Sequence, residues 1–469
     1  MKTEVTPNTS GFDSCNRSAN GVGKIFFDCT HVFNCSWMNS GIQRVVRNIA
    51  KELPPSWRGR ECIPVTFESG AFHRIVHLIP DDPVSKGTFA QIVEWLERKR
   101  NRPFEMNKRI QSGKAAGMAS RTFRCLLHGL CFAWHKCYLA LRWPRNSLGF
   151  DPFQSRTLPI EIRPNDELVL LDSSWHVKGL SEQVSALKSR GVRIVAIIYD
   201  IIPLQYPEFC DDQLVAVFAE WFEWVSKVSD CFVCISRSVL DDIKQEVIAR
   251  LSKSEADQRS YGYFHLGAEL DMKDTSKVSD QRLRDVFASE QPVFIAVSTI
   301  EPRKNHGYLL DVFDCLWQEG SSARLCIVGR VGWKCDAFME RAMKHTELGR
   351  RFFMFNELDD NGLEYAYCNA KALIFPSLAE GFGLPLVEAM QRGLPAIASD
   401  IKVFREVGGD YLSYCNPRDP KTCAAIIREV ERTGRLPSAK PLNDWKWISW
   451  KESATQLLVA TDGDSSVAS

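Results

Sequence analysis

Short apolar segments alternate with amphipathic segments along most of this 469-residue chain. The apolar segments are rich in β-branched residues, which is typical of buried parallel strands. The segments between them, such as 181–189 and 305–318, carry apolar residues three to four positions apart and begin with Ser or Asn, as crossover helices do. We therefore predict an α/β protein with parallel sheets. The predicted strands are 24–28, 167–172, 192–200, 230–236, 292–299, 324–329 and 372–376.

A polar stretch at 270–290 interrupts this alternation, which resumes at Pro292. We predict an interdomain linker there, between doubly wound domains at 1–285 and 286–440. The remaining segment, 441–469, is expected to form a helix that packs back on the first domain. Ligands of open parallel sheets lie at the carboxyl ends of the strands, so two facing domains would bind a ligand in the cleft between them.

One region, 98–145, departs from the balanced charge of the chain. The whole chain has 59 basic and 58 acidic residues, whereas this region has twelve Lys or Arg and only Glu105 as an acid. Interleaved Trp, Phe and Tyr fit a helix lying on an anionic membrane. A helical hairpin with its aromatic residues packed inward fits equally well. No RNA-binding module accompanies the region, and we expect no nucleic-acid partner.

The sixteen cysteines are scattered and do not form the dense pattern of a disulfide scaffold. Cys231 and Cys234 lie in an apolar run, which favours buried strand thiols over a metal or redox site. Residues 1–23 lack the apolar core of a secretory signal, and no segment approaches the length of a membrane span. We expect a cytoplasmic protein that is at most peripheral to a membrane.

Two phosphate-binding motifs are candidates. The segment Glu301-Pro302-Arg303-Lys304-Asn305 follows a predicted strand, so two adjacent cations stand where a parallel sheet meets a diphosphate. A solvated surface pair is the alternative. Gly41 begins a predicted helix whose amides could face a phosphate, or could simply be capped. No G-x-x-x-x-G-K-[ST] motif is present, which argues against a P-loop NTPase.

A further segment, Glu380-Gly381-Phe382-Gly383-Leu384, joins a predicted strand to a predicted helix that carries Glu388. Its glycines allow the backbone to approach a ligand, and the two glutamates can accept hydrogen bonds from hydroxyl groups.

This arrangement resembles the E-x7-E element of the retaining GT-B glycosyltransferases, the large family that includes glycogen, sucrose and lipopolysaccharide synthases and mannosyltransferases. The second domain resembles that family along most of 292–415, and the E-P-R-K-N phrase is specific for its bacterial polysaccharide branch. The resemblance implies a GT-B fold, in which a Rossmann-like N-terminal domain binds the acceptor and a Rossmann-like C-terminal domain binds the nucleotide sugar across a cleft.

The resemblance also implies roles for single residues. Arg303 and Lys304 would neutralise the departing diphosphate, and Glu380 would face the donor sugar. Asp200 follows a first-domain strand and would contact acceptor or sugar. It is the first-domain candidate because Tyr199 stands where relatives often have His. A helix or turn cap is the alternative role of Asp200. The other implied donor contacts are the amides of Gly381, Phe382, Gly383 and Leu384, the ribose ligand Glu388, and Gly41 from the opposite domain.

The function implied is a metal-independent, retaining hexosyl transfer without a cofactor. The first choice is mannose from GDP-mannose, transferred to a lipid-linked bacterial polysaccharide such as O-antigen, capsule or exopolysaccharide. A UDP- or dTDP-sugar donor and a non-catalytic glycan-binding subunit are the alternatives. The acceptor and the basic region together predict a peripheral position on the inner face of the cytoplasmic membrane.

Overall fold

The structure, a computed structural model, describes residues 23–34, 41–78, 156–269 and 273–463. The basic region 98–145 lies outside the described residues. The chain divides into a large unit, residues 1–71 with 161–469, and a small unit, residues 72–160. In the small unit, residues 73–75 pair antiparallel with residues 157–159.

The strands confirm the predicted α/β class. Every strand predicted from the sequence is present, with ends that differ by at most a few residues. In chain order the strands are β1 Ile25–Asp28, β2 Ser56–Trp57, β3 Arg60–Glu68, β4 Ala71–Ile75, β5 Thr157–Pro159, β6 Glu167–Leu170, β7 Arg193–Ile198, β8 Cys231–Cys234, β9 Ser260–Tyr263, β10 Val293–Val297, β11 Arg324–Val328, β12 Phe352–Phe355, β13 Ala372–Phe375, β14 Ala396–Ser399 and β15 Ser413–Cys415.

The helices of the described residues connect these strands. A 3₁₀ turn, Pro302–Lys304, follows β10. The α-helices are α1 Thr30–Asn34, α2 Gly41–Glu52, α3 Leu180–Ser189, α4 Ile202–Gln205, α5 Asp212–Val228, α6 Arg237–Arg250, α7 Lys253–Asp257, α8 Gln281–Phe287, α9 His306–Gln318, α10 Asp336–Met343, α11 Asp360–Asn369, α12 Leu384–Gln391, α13 Lys402–Gly408, α14 Pro420–Thr433 and α15 Trp450–Thr461.

Two parallel sheets organise the large unit. The first has the order β3-β1-β6-β7-β8-β9, with β2 antiparallel on the edge of β3. The second has the order β12-β11-β10-β13-β14-β15. In chain order this second sheet runs 3-2-1-4-5-6, the doubly wound arrangement in which the strand order reverses between β10 and β13. Ligands of such sheets bind outside the carboxyl ends of the strands at that reversal.

Burial explains why these short runs form strands. All residues of β1, β6, β8, β13 and β14 are buried, as expected for parallel strands covered on both faces. In the second sheet, Phe294 on β10 packs with Phe313 and Leu316 of α9 in one apolar cluster. Cys231 and Cys234 are buried, unbonded thiols of β8, as predicted.

The C-terminal helix α15 packs against the first sheet. The Cys231 thiol lies 3.9 Å from the Ala460 carbonyl, and a Cβ on Gly262 of β9 would be 3.1 Å from the Ala460 Cβ. At the end of the helix, the Trp57 Nε1 donates to the Asp462 carboxylate at 2.9 Å. The segment that follows the second domain therefore completes the first one.

The region predicted as a linker contains a helix. Part of 270–290 is the helix α8, whose N-cap Asp280 accepts a hydrogen bond from the Leu283 amide at 3.1 Å. A short helix with a polar cap has the same composition as a linker, and this is why the pattern missed it. None of the helices within the described ranges is long and apolar enough to cross a membrane.

Candidate active site

The site forms where the carboxyl ends of β7, β10 and β13 meet. The turn Pro302–Lys304 follows β10, and the loop 376–383 leads from β13 to α12. These two segments stand at the reversal of strand order in the second sheet. The Leu378 amide donates to the Arg303 carbonyl at 2.8 Å, which ties the loop to the turn.

Arg303 forms ion pairs with two carboxylates. Its Nη1 donates to the Glu380 Oε2 at 2.7 Å and to the Ala379 carbonyl at 3.2 Å. On the other edge of the guanidinium, Nε lies 2.7 Å from the Glu301 Oε1. The Glu301 side chain is buried, so the plane of the guanidinium is fixed from both sides. Glu301 was not among the residues predicted for the site, although it stands within the motif.

Lys304 completes the group. Its Nζ contacts the Glu380 Oε1, the oxygen that Arg303 does not use. The ammonium also lies 4.9 Å from the centre of the Phe375 ring at the end of β13. The structure therefore brings together the two predicted phosphate cations and the predicted sugar carboxylate, as one ion cluster.

Charge and burial act in opposite directions on this cluster. Burial alone would raise the pKa of Glu380, but the charges and hydrogen bonds of Arg303 and Lys304 outweigh it and hold that pKa at about 2. Burial and the neighbouring Arg303 together lower the pKa of Lys304. Burial lowers the pKa of Arg303 too, but the surrounding carboxylates outweigh burial and raise it above its ordinary value.

Two further carboxylates face the cluster, and both are hard to ionise. Burial raises the pKa of Asp200 and of Glu301, although Arg303 opposes the shift in each case. With Glu380 they make three carboxylates against two cations. A bound diphosphate would add negative charge, which opposes ionisation of these two carboxyl groups further.

Asp200 makes the local hydrogen bond of its turn-cap alternative, and its contact with acceptor or sugar stays a prediction. Its Oδ1 accepts a hydrogen bond from the Ile202 amide at 3.1 Å, two residues on, in the turn that leads into α4. The same carboxylate faces Arg303 and borders a cavity. Tyr199 is structural, because its hydroxyl donates to the Leu171 carbonyl at 2.7 Å.

The glycine loop docks on the first domain. A Cβ on Gly381 would lie 2.1 Å from the Tyr199 carbonyl oxygen, so only glycine permits this approach. The Ser236 hydroxyl donates to the Gly381 carbonyl at 2.9 Å. Gly383 has φ +108, which favours glycine, and α12 begins at the next residue, Leu384.

The side chain of Phe382 is buried and not available to a ligand. Its ring is 3% exposed and packs at centroid distances of 6.0 Å from His265 and 5.8 Å from Trp447. Only its backbone can serve the predicted donor contact. The aromatic packing holds the loop in place between the domains.

The two remaining predicted residues are placed differently. Glu388 on α12 accepts a hydrogen bond from the Tyr367 hydroxyl at 3.1 Å and contacts Arg44 of α2. Gly41 is exposed at the start of α2, and a Cβ built there would have no atom of the described residues within 4 Å. The next residue, Ile42, lines the cavity beside Arg303, and the approach of Gly41 to a diphosphate stays a prediction. Arg44 and Tyr367 were not predicted, and no local pattern distinguishes them.

A cavity of about 180 Å³ opens beside Asp200 and Arg303. Its walls are mainly apolar and come from separate segments of the first domain and from Trp333 of the second. The Trp333 Nε1 donates to the Phe209 carbonyl at 2.8 Å, and this bond joins the domains. Three aromatic side chains pack edge-on or tilted in one wall, Trp175, Phe218 and Trp221, with ring centroids 5.2 to 5.5 Å apart.

The geometry is suited to stabilising a leaving anion. Two cations, the backbone amides of a glycine loop and the N-terminus of α12 converge at one strand edge. Such pre-positioned charges and dipoles stabilise negative charge that develops on a departing phosphate. The adjacent, mainly apolar cavity is lined in part by Asp200 and offers a place for a second reactant.

Comparisons with known proteins agree with this geometry. A model of the family described as "Glycosyl transferases group 1" matches residues 279–442. The serotype-specific mannosyltransferase WbdA of Escherichia coli is 31% identical over 337 residues, which are 70% of this chain and 40% of that protein. The O-antigen chain mannosyltransferase RfbU of Salmonella typhimurium is 33% identical over 147 residues, 31% of this chain and 39% of that protein.

The chain thus matches about 40% of the length of these curated relatives. The solved structure of Anabaena Alr3699/HepE with UDP and glucose aligns with 95% of this chain and 98% of its own, at 14% identity and a TM-score of 0.49. This score is below 0.5, so the assignment rests on the sequence matches. Together with the doubly wound second sheet and the E-x7-E element, those matches identify residues 279–442 as a group 1 glycosyl transferase domain.

Proposed function

We propose that this chain is a retaining, metal-independent glycosyltransferase that moves mannose from GDP-mannose to a growing lipid-linked bacterial polysaccharide. The observation that carries the proposal is the contact of Arg303 and Lys304 with Glu380 beside the glycine loop. The relatives named as O-antigen mannosyltransferases support the sugar and the acceptor class.

In the proposed reaction, the donor's diphosphate lies against Arg303 and Lys304, which exchange part of their pairing with Glu380 for phosphate oxygens. Glu380 then accepts hydrogen bonds from the sugar. The bond between the sugar carbon and the phosphate oxygen breaks, and an acceptor hydroxyl attacks from the same face. The departing phosphate takes the hydroxyl proton and leaves as part of a nucleoside diphosphate. Because the hydroxyl attacks from the face that the phosphate leaves, the configuration of the sugar carbon is retained.

The acceptor's terminal sugar enters the cavity beside Asp200. Sugar rings have apolar C–H faces, for which aromatic side chains such as Trp175 and Trp333 are suitable neighbours. Asp200 can accept a hydrogen bond from an acceptor hydroxyl at the cavity mouth. This places the attacking hydroxyl next to the cations that bind the leaving group.

A donor panel tests the proposal. The purified chain is incubated with GDP-mannose, UDP-glucose, UDP-N-acetylglucosamine or dTDP-rhamnose and a lipid-linked oligosaccharide, with and without EDTA, and the product's anomeric configuration is determined by NMR. We expect transfer from GDP-mannose that EDTA does not reduce. Transfer from a UDP- or dTDP-sugar would replace the donor, and nucleotide binding without transfer would favour a glycan-binding subunit.

A matched pair of lysine variants locates the site. Lys304→Gln removes a cation that touches Glu380, whereas Lys344→Gln removes an exposed cation paired with Glu340 on α10. Only Lys304→Gln should abolish transfer. Equal activity of the two variants would place the chemistry elsewhere.

The proposal includes a position on the inner face of the cytoplasmic membrane. Its support is the sequence of 98–145, with twelve cations and one acid, because each cation near an anionic leaflet contributes about 1 kcal/mol. The chain should float with vesicles that contain anionic lipid and not with neutral vesicles. Replacing six of these cations by Gln should abolish flotation, and unchanged flotation would contradict the membrane contact.

A further inference from the structure

Arg44 and Glu388 join the two domains across the cleft. Arg44 lies on the first turn of α2, and its Nη1 donates to the Glu388 Oε1 on α12. The side chain of Arg44 is 37% exposed, whereas that of Glu388 is 12% exposed. Solvent, and therefore a ligand, reaches the pair from the side of the arginine.

The neighbours of Glu388 show which of its contacts can be exchanged. Its Oε2 accepts from the Tyr367 hydroxyl at 3.1 Å, and Tyr367 is fully buried. Arg392 lies near but is committed to Glu364, with contacts of 2.6 Å from Nη2 and 3.0 Å from Nε. Tyr367 and Arg392 are thus fixed, and the exposed Arg44 is the contact that can leave.

We propose that Arg44 is a diphosphate-binding residue that Glu388 holds in position until the donor arrives; this inference rests on the proposed function. When a nucleotide sugar enters, the ribose hydroxyls donate to Glu388 and replace Arg44. The guanidinium then turns to the diphosphate. Arg44 joins Arg303 and Lys304 there, so that cations from both domains hold the leaving group.

The exchange is favoured by charge and by shape. Arg44 is the more exposed member of the pair, and the ribose hydroxyls would replace its contact with Glu388, so that the buried carboxylate keeps hydrogen-bond donors. A diphosphate carries more negative charge than one carboxylate, and the planar guanidinium can bind two phosphate oxygens at once. The positive end of α2 lies one turn from Arg44 and adds to the attraction.

The test compares diphosphate and nucleoside binding in two matched variants. Arg44→Gln removes the proposed ligand, and Lys51→Gln removes an exposed cation from the same helix. Of GDP, UDP, dTDP and ADP, the diphosphate that binds the wild type most tightly is the first probe, and its affinity is measured by calorimetry. The second probe is its parent nucleoside, whose affinity is measured by displacement of that diphosphate. Thermal unfolding of each variant confirms that it is folded.

The expected result is a divergence between the two probes. Arg44→Gln should weaken binding of the nucleoside diphosphate about tenfold, which corresponds to the loss of one charge-assisted contact. The affinity for the nucleoside should stay the same or increase, because Glu388 is released from Arg44. Arg44→Lys should recover part of the loss, and Lys51→Gln should change neither probe.

Two outcomes would overturn the inference alone. One is a diphosphate affinity of Arg44→Gln within twofold of the wild type. The other is an equal weakening of both probes, which would make Arg44 a simple tether between the domains. If the wild type binds none of the four diphosphates, the inference fails together with the proposed function, and this result is distinct from the other two.

Discussion

Replacement of Glu380 by Gln tests the ion cluster directly. Gln preserves the size of the side chain and one carbonyl oxygen, but it removes the charge that both Arg303 and Lys304 contact. Two buried cations then face each other without the carboxylate between them. We expect a less stable free protein whose cations are more available to a phosphate.

The structure gives the size of the effect. The pKa of Glu380 is about 2, against an ordinary value of 4.5. Since one pKa unit corresponds to about 1.4 kcal/mol, the fold stabilises the carboxylate by about 3 kcal/mol. Breaking a buried ion pair from one side costs about 3 to 5 kcal/mol, which agrees. The pKa is depressed, so this contribution is present above pH 4.5 and is lost as the pH falls towards 2.

Thermal unfolding at pH 7 measures the loss of stability. For a domain of the size of 279–442, about 3 kcal/mol corresponds to a fall in Tm of roughly 6 to 12 °C. A saturating nucleoside diphosphate should reduce that difference, because its phosphates replace the missing charge. The variant should bind the diphosphate as tightly as the wild type or more tightly, and should lose transfer.

The matched control is Glu340→Gln, which breaks the exposed pair with Lys344. Surface pairs of this kind stabilise little, so its Tm should not change. An unfolding temperature of Glu380→Gln equal to that of the wild type would refute a stabilising role of this carboxylate. Loss of diphosphate binding along with transfer would also contradict the prediction, because Arg303 and Lys304 would then need Glu380 to bind phosphate.

Three other substitutions have expected outcomes. Burial and the charge of Lys304 lower the pKa of His306 to about 3. Between pH 7 and 5 only the unfolded chain takes up this proton, so the free energy of unfolding of the wild type should fall by about 2 kcal/mol. His306→Gln should remove that fall, measured by urea unfolding. Burial, with the charge of Asp172, raises the pKa of Asp28 to about 7, so ionisation opposes folding as the pH rises from 3.8 through 7. Asp28→Asn should therefore raise Tm more at pH 8 than at pH 5. Gly381→Ala places a Cβ 2.1 Å from a carbonyl oxygen, so it should lower Tm and abolish transfer in the donor assay.

Controls for these substitutions are available in the chain. Gly307 lies in α9, and a built Cβ there meets no atom of the described residues within 4 Å beyond its own helix, so Gly307→Ala should be tolerated. Unfolding curves of His306→Gln that stay parallel to those of the wild type from pH 7 to 5 would refute a neutral, buried imidazole. An Asp28→Asn variant with the same gain at both pH values would show that ionisation of Asp28 is not the cause.

Much of the fold could be predicted because the information is local. Strands such as β10 and β13 are continuous apolar runs, each followed by its motif, and the carboxyl ends of neighbouring parallel strands must lie together. Strands with a mixed pattern were missed: β9 is only half-buried and contains Gly262, so its four residues give no clear periodicity. The other strands missed are β3, β12, β14 and β15, besides the short antiparallel strands. Of these, β12 and β14 are fully buried, so a mixed pattern does not account for them.

The structure brings several residues of the predicted site together, but their contacts with one another were not predicted. The sequence indicated that Arg303, Lys304 and Glu380 share one strand edge, but it assigned the cations to phosphate and the carboxylate to sugar as separate tasks. That Glu380 is bound by both cations depends on the turn after β10. The contact of Arg44 with Glu388 joins residues 344 positions apart and depends on the domain arrangement, which no local pattern encodes.

The return of α15 to the first sheet determines how the chain could be recombined. The backbone leaves the first domain before β10 and comes back to it with α15, so the second domain is, in topological terms, a cassette inserted into the first. A chimera that exchanges the donor domain with a relative therefore needs two junctions, and the segment 450–461 should come from the parent of the first domain. A single crossover would pair α15 with a foreign β8 and β9, and a mismatch at Ala460 against Gly262 would then appear as misfolding of the domain that was not exchanged.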